Sequence, residues 1–165
     1  MSHSVHHPAG AARRRVAAAC AVLLLGITGC SITTPTARSD AERDLQRNRQ
    51  RWAGAGIRDY EFDFRRICFC LTEVTERVHI VVRNDVVTSV VRVRDGQPAS
   101  TAVGAWPRVN DLFDEIQRRI DEGAERLDVT YDPALGYPRT VAADVILMAA
   151  DDEYWLTAEN LQRLP

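Results

Sequence analysis

Two cysteines one residue apart, Cys68 and Cys70 in the stretch Arg65-Arg66-Ile67-Cys68-Phe69-Cys70, are the side chains best suited to chemistry in this 165-residue chain. Thiols at that spacing can pair as a disulfide, exchange with another thiol, join further ligands around a soft metal, or stay reduced as small apolar residues. The choice depends on compartment, because thiols stay reduced in the cytosol and pair outside it. The two other cysteines, Cys20 and Cys30, lie near the N-terminus.

Other constellations are weaker. Asp144, Asp151, Asp152 and Glu153 offer oxygen ligands for a hard cation. They lack the alternating spacing and the glycine of an EF-hand loop, so a solvated turn between strands is the favoured reading. Gly136-Tyr137-Pro138 is a candidate ligand or interaction loop. Its plain alternative is a turn set by the glycine and proline, with Tyr137 covering the core edge. Of the four histidines, His3, His6 and His7 precede an apolar N-terminal leader, which leaves His79. Neither a nucleophile elbow nor a phosphate-cradling glycine loop is present, so no catalytic group and no cofactor is assigned.

Arg13-Arg14-Arg15 and the apolar run from Val16 to Ile27 have the layout of a signal peptide. The run is shorter than the ~20 residues a spanning helix needs. Ile27-Thr28-Gly29-Cys30 resembles the lipobox of bacterial lipoproteins. That resemblance implies that the Cys30 thiol receives a diacylglyceryl group, that the chain is cut just before it, and that residues 1–29, with Cys20, are lost. Multiple acyl chains anchor stably, so the expected protein is extracytoplasmic and membrane-tethered through lipid alone.

Losing residues 1–29 removes three arginines and no acid, which moves the formal charge from −2 to −5 and leaves 136 residues. That length fits one domain. A net-acidic domain is poorly matched to nucleic acid or anionic lipid. All 21 basic residues are arginines, a compositional bias.

These side chains must be positioned by elements that the sequence pattern also predicts. Residues 30–38, rich in Ser, Thr and Pro, read as a flexible tether, and 39–165 as a single α+β domain. Ser39-Asp40-Ala41-Glu42 fits a capping box opening a helix to about Ala53, pinned by Trp52. Tyr60, Phe62 and Phe64 alternate with polar residues in a strand. Arg77–Arg83 and Val86–Val93 flank Asn84-Asp85 as a hairpin. Asn110 is expected to cap an amphipathic helix with Leu112, Phe113, Ile116 and Ile120 on one stripe. Leu127, Val129 and Tyr131 mark a fourth strand, and Arg139–Asp144 and Glu153–Glu159 two more, with Val145–Ala150 ambiguous between strand and crossover. The layout is helix, three strands, helix, three strands, with an antiparallel sheet of five or six strands. The predicted core is Trp52, Tyr60, Phe62, Phe64, Val78, Ile80, Val82, Leu112, Phe113, Ile116, Leu127, Val129 and Tyr131.

Trp52 followed by Gly56-Ile57-x-x-Tyr60, then Cys68-x-Cys70, Asp111-Leu112-Phe113, Tyr131-Asp132, Gly136-Tyr137-Pro138 and Asp151-Asp152-Glu153, make the chain resemble a family of uncharacterised bacterial lipoproteins, known as a domain of unknown function. The resemblance spans nearly the whole domain. It implies a lipid-anchored envelope domain without an activity to carry over. The reading is a monomeric, non-catalytic binding or interaction module for an unidentified envelope protein or ligand. The alternative is a thiol-dependent redox or metal-binding role for Cys68 and Cys70.

With Cys20 and Cys30 accounted for, Cys68 and Cys70 can pair within the molecule only with each other. Alternate strand residues lie about 6.5 Å apart at Cα, near the upper limit for a disulfide, so a turn at Phe69 would ease the bridge. His79 has the opposite parity to Val78, Ile80 and Val82 and should point away from the thiols. The order of expectation is disulfide, then reduced thiols, then metal.

Overall fold

The computed structural model describes residues 35–144 and 154–165. The leader, Cys20, Cys30 and the rest of the tether up to residue 34, the run 145–150, and Asp151, Asp152 and Glu153 lie outside the described residues.

Six strands form one antiparallel sheet: β1 (Tyr60–Cys68), β2 (Val78–Arg83), β3 (Val86–Arg92), β4 (Arg126–Tyr131), β5 (Pro138–Asp144) and β6 (Tyr154–Arg163). Their spatial order is β3-β2-β1-β6-β5-β4. Helices α1 (Pro35–Gly54) and α3 (Val109–Glu122) pack with the sheet, and a single turn, α2 (Thr72–Thr75), follows β1. The α+β layout expected from the sequence is the one found.

The alternation in β1 sends Tyr60, Phe62 and Phe64 to the helical face, where each is at most 2% exposed. Opposite them on β2, Val82, Ile80 and Val78 are fully buried. The hairpin turns at Asn84 and Asp85, both with positive φ (50° and 62°), as a tight turn between twisted strands demands. β6 runs past the predicted Glu159 to Arg163 and carries one extra residue on the way. Glu61 pairs with Gln162 but Asp63 with Glu159, and Asn160 takes φ 55° at this bulge.

Two helix starts differ from expectation. α1 is already helical at Pro35, the first described residue, inside the predicted tether. Ser39 is therefore within the helix, and its hydroxyl donates back to the Thr36 carbonyl at 2.9 Å instead of capping. The second helix opens one residue before Asn110, with Arg108 as its N-cap. The Asp111 carboxylate accepts from the Arg108 backbone N–H at 2.7 Å and from the Arg108 guanidinium at 2.7 and 2.9 Å, so a third-position acid does the work expected of Asn110. Gly123 closes α3 in the left-handed region, φ 71°.

Phe113 is fully buried, stacked on Tyr131 at 6.4 Å, with the Arg49 guanidinium 5.6 Å above its ring. Val129 and Tyr131 are only partly buried, because β4 is an edge strand. The core also holds Leu45, Ile57, Trp106, Val109, Val141 and Leu156, beyond the residues predicted for it. Tyr60 joins three elements: Trp52 of α1 meets its ring edge-on at 5.3 Å, and its hydroxyl oxygen accepts the backbone N–H of Val109 at 3.0 Å. Burial pushes the Tyr60 phenol up, to about 12, although the Val109 hydrogen bond opposes the shift.

Phe113→Ala should lower unfolding free energy by about 3–5 kcal/mol in denaturant titration, and an unchanged midpoint would mean that the helix does not depend on this contact. Tyr60→Phe, which leaves the Val109 amide buried and unpaired, should cost about 1–3 kcal/mol by the same measurement.

Candidate functional site

Past Phe64 the same face of β1 carries Arg66 and then Cys68, and the strand ends there. Phe69 and Cys70 form a bend, which brings the Cys68 and Cys70 Cα atoms to 5.2 Å, well inside the range for a bridge, and the two sulfurs are joined. The turn at Phe69 supplies the shortening that a straight strand lacks. Phe69 itself points outward, 85% exposed.

This end of β1 opens on a groove of about 870 Å³ that runs beside α3. Arg108 and Asp111, from the first turn of α3, line one end, and Arg119, Tyr154 and the Cys68–Cys70 pair line the other. Trp106, Val86 and Leu156 supply apolar wall. The groove exists because the segment before α3 crosses the sheet: Trp106 meets Phe64 edge-on at 6.3 Å, and the Arg108 guanidinium donates to the Asp85 carbonyl at 3.0 Å.

Four arginines and three carboxylates line it, and most are matched. Asp111 takes Arg108. Asp85 takes Arg58, which comes from outside the groove, at 2.7 Å. Glu115 pairs with both Arg118 and Arg119 and accepts the Tyr154 hydroxyl at 2.6 Å. The Arg119 guanidinium lies 4.6 Å from the centre of the Tyr154 ring, and burial raises the Tyr154 pKa. Burial also pushes the Asp111 carboxyl up, but the Arg108 hydrogen bonds outweigh it and hold the group below the ordinary carboxylate range.

Gly136, Tyr137 and Pro138 sit elsewhere, under α1. Gly136 has φ 79°, and a Cβ there would come within 2.7 Å of the Asn48 carbonyl oxygen, so the residue allows the loop to touch the helix backbone. Tyr137 is 5% exposed and meets Trp52 edge-on at 6.3 Å. Pro138 begins β5. The turn is tied by Asp132, whose carboxylate accepts the Ala134 and Leu135 amides at 3.0 and 2.7 Å. Of the acidic set, Asp144 is the last described residue of β5 and a buried side chain.

The opposite face of the sheet carries a charged cluster that sequence reading did not assemble. Asp63 accepts His79 Nδ1 at 2.9 Å, Arg77 at 3.0 Å and the Asn160 amide at 3.0 Å. Arg77 also reaches Glu159 at 3.0 Å, and His79 Nε2 faces Glu61 at 3.5 Å. His79 thus lies on the face away from the groove, as its parity predicts. Both imidazole nitrogens face carboxylates, which leaves neither aimed at a hydroxyl or thiol nucleophile. Among the described residues no group of three His, Cys, Asp or Glu side chains is placed to hold a metal ion.

Burial pushes the Asp63 carboxyl up, but hydrogen bonds from His79 and Asn160 and the Arg77 charge bring it below its ordinary value. A carboxylate depressed in the fold stabilises above its unfolded pKa of about 3.9, and the contribution disappears as pH falls through the folded value. Asp63→Asn should therefore be less stable than the parent at pH 7, by about 1–3 kcal/mol, with the gap narrowing as pH falls below about 3.9. Parallel denaturant melts across that range measure it, and a gap that stays constant would remove Asp63 as its source.

No curated protein and no solved structure matches the chain. The model of one family covers residues 44–163, from within α1 to the last residue of β6, and so takes in the β1 end, the groove and the charged sheet face together. The chain belongs to that family, a family of unknown function, DUF6174.

Proposed function

We propose that this is a lipid-anchored protein of the cell envelope whose folded domain is a non-catalytic binding module, and that it engages its ligand in the groove beside α3. The groove is the observation that carries the reading. Its volume of about 870 Å³ falls in the range of ligand sites, and its wall mixes apolar side chains with fixed charges. The Phe69 and Val86 side chains, 85% and 60% exposed, stand at it ready to be covered. The leader and Cys30 supply the anchor and the oxidising compartment, in which a Cys68–Cys70 bridge persists.

A second reading, thiol exchange, draws on the bridge itself. Cys70 is exposed and Cys68 half-buried beside an arginine-lined groove, an electropositive setting that favours a thiolate once the bridge opens. In Cys70→Ser the Cys68 thiolate would attack a partner's disulfide and release one of its sulfurs as a thiolate, and the reductant-sensitive mixed disulfide would persist because no second thiol is left to resolve it.

The test places a photo-crosslinking residue at Phe69 or, as a control on the other sheet face, at Asp128, with Cys30→Ser expressed in a parallel culture. Expected are lipid labelling and membrane retention that Cys30→Ser abolishes, and adducts from position 69 that are missing from position 128. Adducts from position 128 alone, or an unlabelled parent in the cytosolic fraction, would overturn the proposal.

A further inference from the structure

Arg66 is the one groove arginine that, among the described residues, makes neither an ion pair nor a hydrogen bond. It stands at a core-parity position of β1, two residues after Phe64 and two before Cys68, paired across the sheet with Leu156. It is half-buried. Burial disfavours its charged form, the Tyr154 phenol oxygen opposes that, and the neighbouring Arg118 charge adds to it. A guanidinium does not give up its proton in response, so the charge stays and lacks a counterpart. The other acids cannot supply one, since Asp85, Asp111 and Glu115 are already engaged.

A second unmatched donor lines the same groove. Trp106 is 6% exposed, and its indole N–H has no hydrogen-bond partner among the described residues. Buried donors are ordinarily paired, so the buried indole N–H, with the unpaired half-buried guanidinium in the same groove wall, marks a missing acceptor. With one positive charge in excess, the groove calls for a single negative charge, and a dianion would meet Asp111 and Glu115.

Resting on the reading of the groove as a binding site, we infer that it takes a small organic monoanion, its carboxylate or phosphodiester oxygens held in the fork of Arg66 and its apolar body lying along Trp106 and Val86. A carboxylate and a phosphodiester each present two oxygens that match a guanidinium in two parallel hydrogen bonds. Free carboxylates and phospholipid headgroups are the two sources of such a group.

The experiment uses the lipidated full-length chain in a non-ionic detergent, titrated with benzoate, with diphenyl phosphate and with neutral benzamide. Binding is followed by the indole N–H signal of Trp106, identified by its loss in Trp106→Phe, and by melting temperature. Benzoate or diphenyl phosphate should shift that signal saturably and raise the melting temperature, benzamide should do neither, and the tighter anion names the source. Arg66→Gln should weaken the bound anion about tenfold or more, as loss of a charge-assisted pair does. Arg66→Met should melt at or above the parent without ligand, because it removes a half-buried charge that has no partner, and should gain nothing from either anion. Equal binding of benzamide, an unchanged affinity in Arg66→Gln, no response to either anion, or a lower melting temperature for ligand-free Arg66→Met would each overturn the inference. Benzamide binding with Arg66 irrelevant would still leave the groove a ligand site, and the crosslinks from position 69 judge that reading separately.

Discussion

The hydrogen bond from the Val109 amide to the Tyr60 hydroxyl sets the geometry of the whole helical face. The first amides of a helix have no partner of their own, and here a core tyrosine of the central sheet satisfies one of them. That contact holds the start of α3 against the Tyr60 end of β1, while Trp52 presses on the same ring from α1. With its origin fixed, α3 can lie along the sheet only so far from β1, and the space left beside it is the groove.

The sheet separates two kinds of charge. On the helical side arginines and acids are interleaved at close quarters with aromatic rings. On the open side Asp63 gathers a histidine, an arginine and an asparagine across three neighbouring strands. That network is cross-strand pairing in polar form: Asp63 faces His79 on β2 and Glu159 on β6, with Arg77 spanning the acids. It stitches the middle of the sheet where the bulge at Asn160 would otherwise loosen it.

Where the sequence carries a period, the fold can be read from it. Tyr60, Phe62 and Phe64 announce β1 and its buried face, Asn84-Asp85 announces the hairpin, and the Leu112–Ile120 stripe announces α3. Ends are read less well, because a cap depends on local competition: Ser39, read as a cap, lies inside α1, and Asp111 reaching back to Arg108 displaces Asn110. The groove was not legible, since it arises from the approach of segments far apart in the chain. One signal was available. Arg66 keeps the parity of Tyr60, Phe62 and Phe64, and an arginine placed on a core face without a neighbouring acid is a charge in need of an explanation. Gly136-Tyr137-Pro138 shows the reverse: a motif that looks like a recognition loop serves to let the chain touch α1.

The strand order has a bearing on how the protein is born. β6 is made last of the six strands, yet it lies between β1 and β5 and is the strand through which the sheet joins the hairpin half β1–β3 to the pair β4–β5. Until it emerges, a nascent chain holds two partial sheets with raw edges facing each other, each a template for pairing with some other polypeptide. Synthesis thus passes through a window in which neither half is sealed, and the closing step joins segments about as distant in sequence as the domain allows, the slow kind of contact in folding. A chain of this topology stays pliable until its final strand is delivered, and a stop codon before β6 would remove the strand that joins the two halves of the sheet instead of trimming an edge.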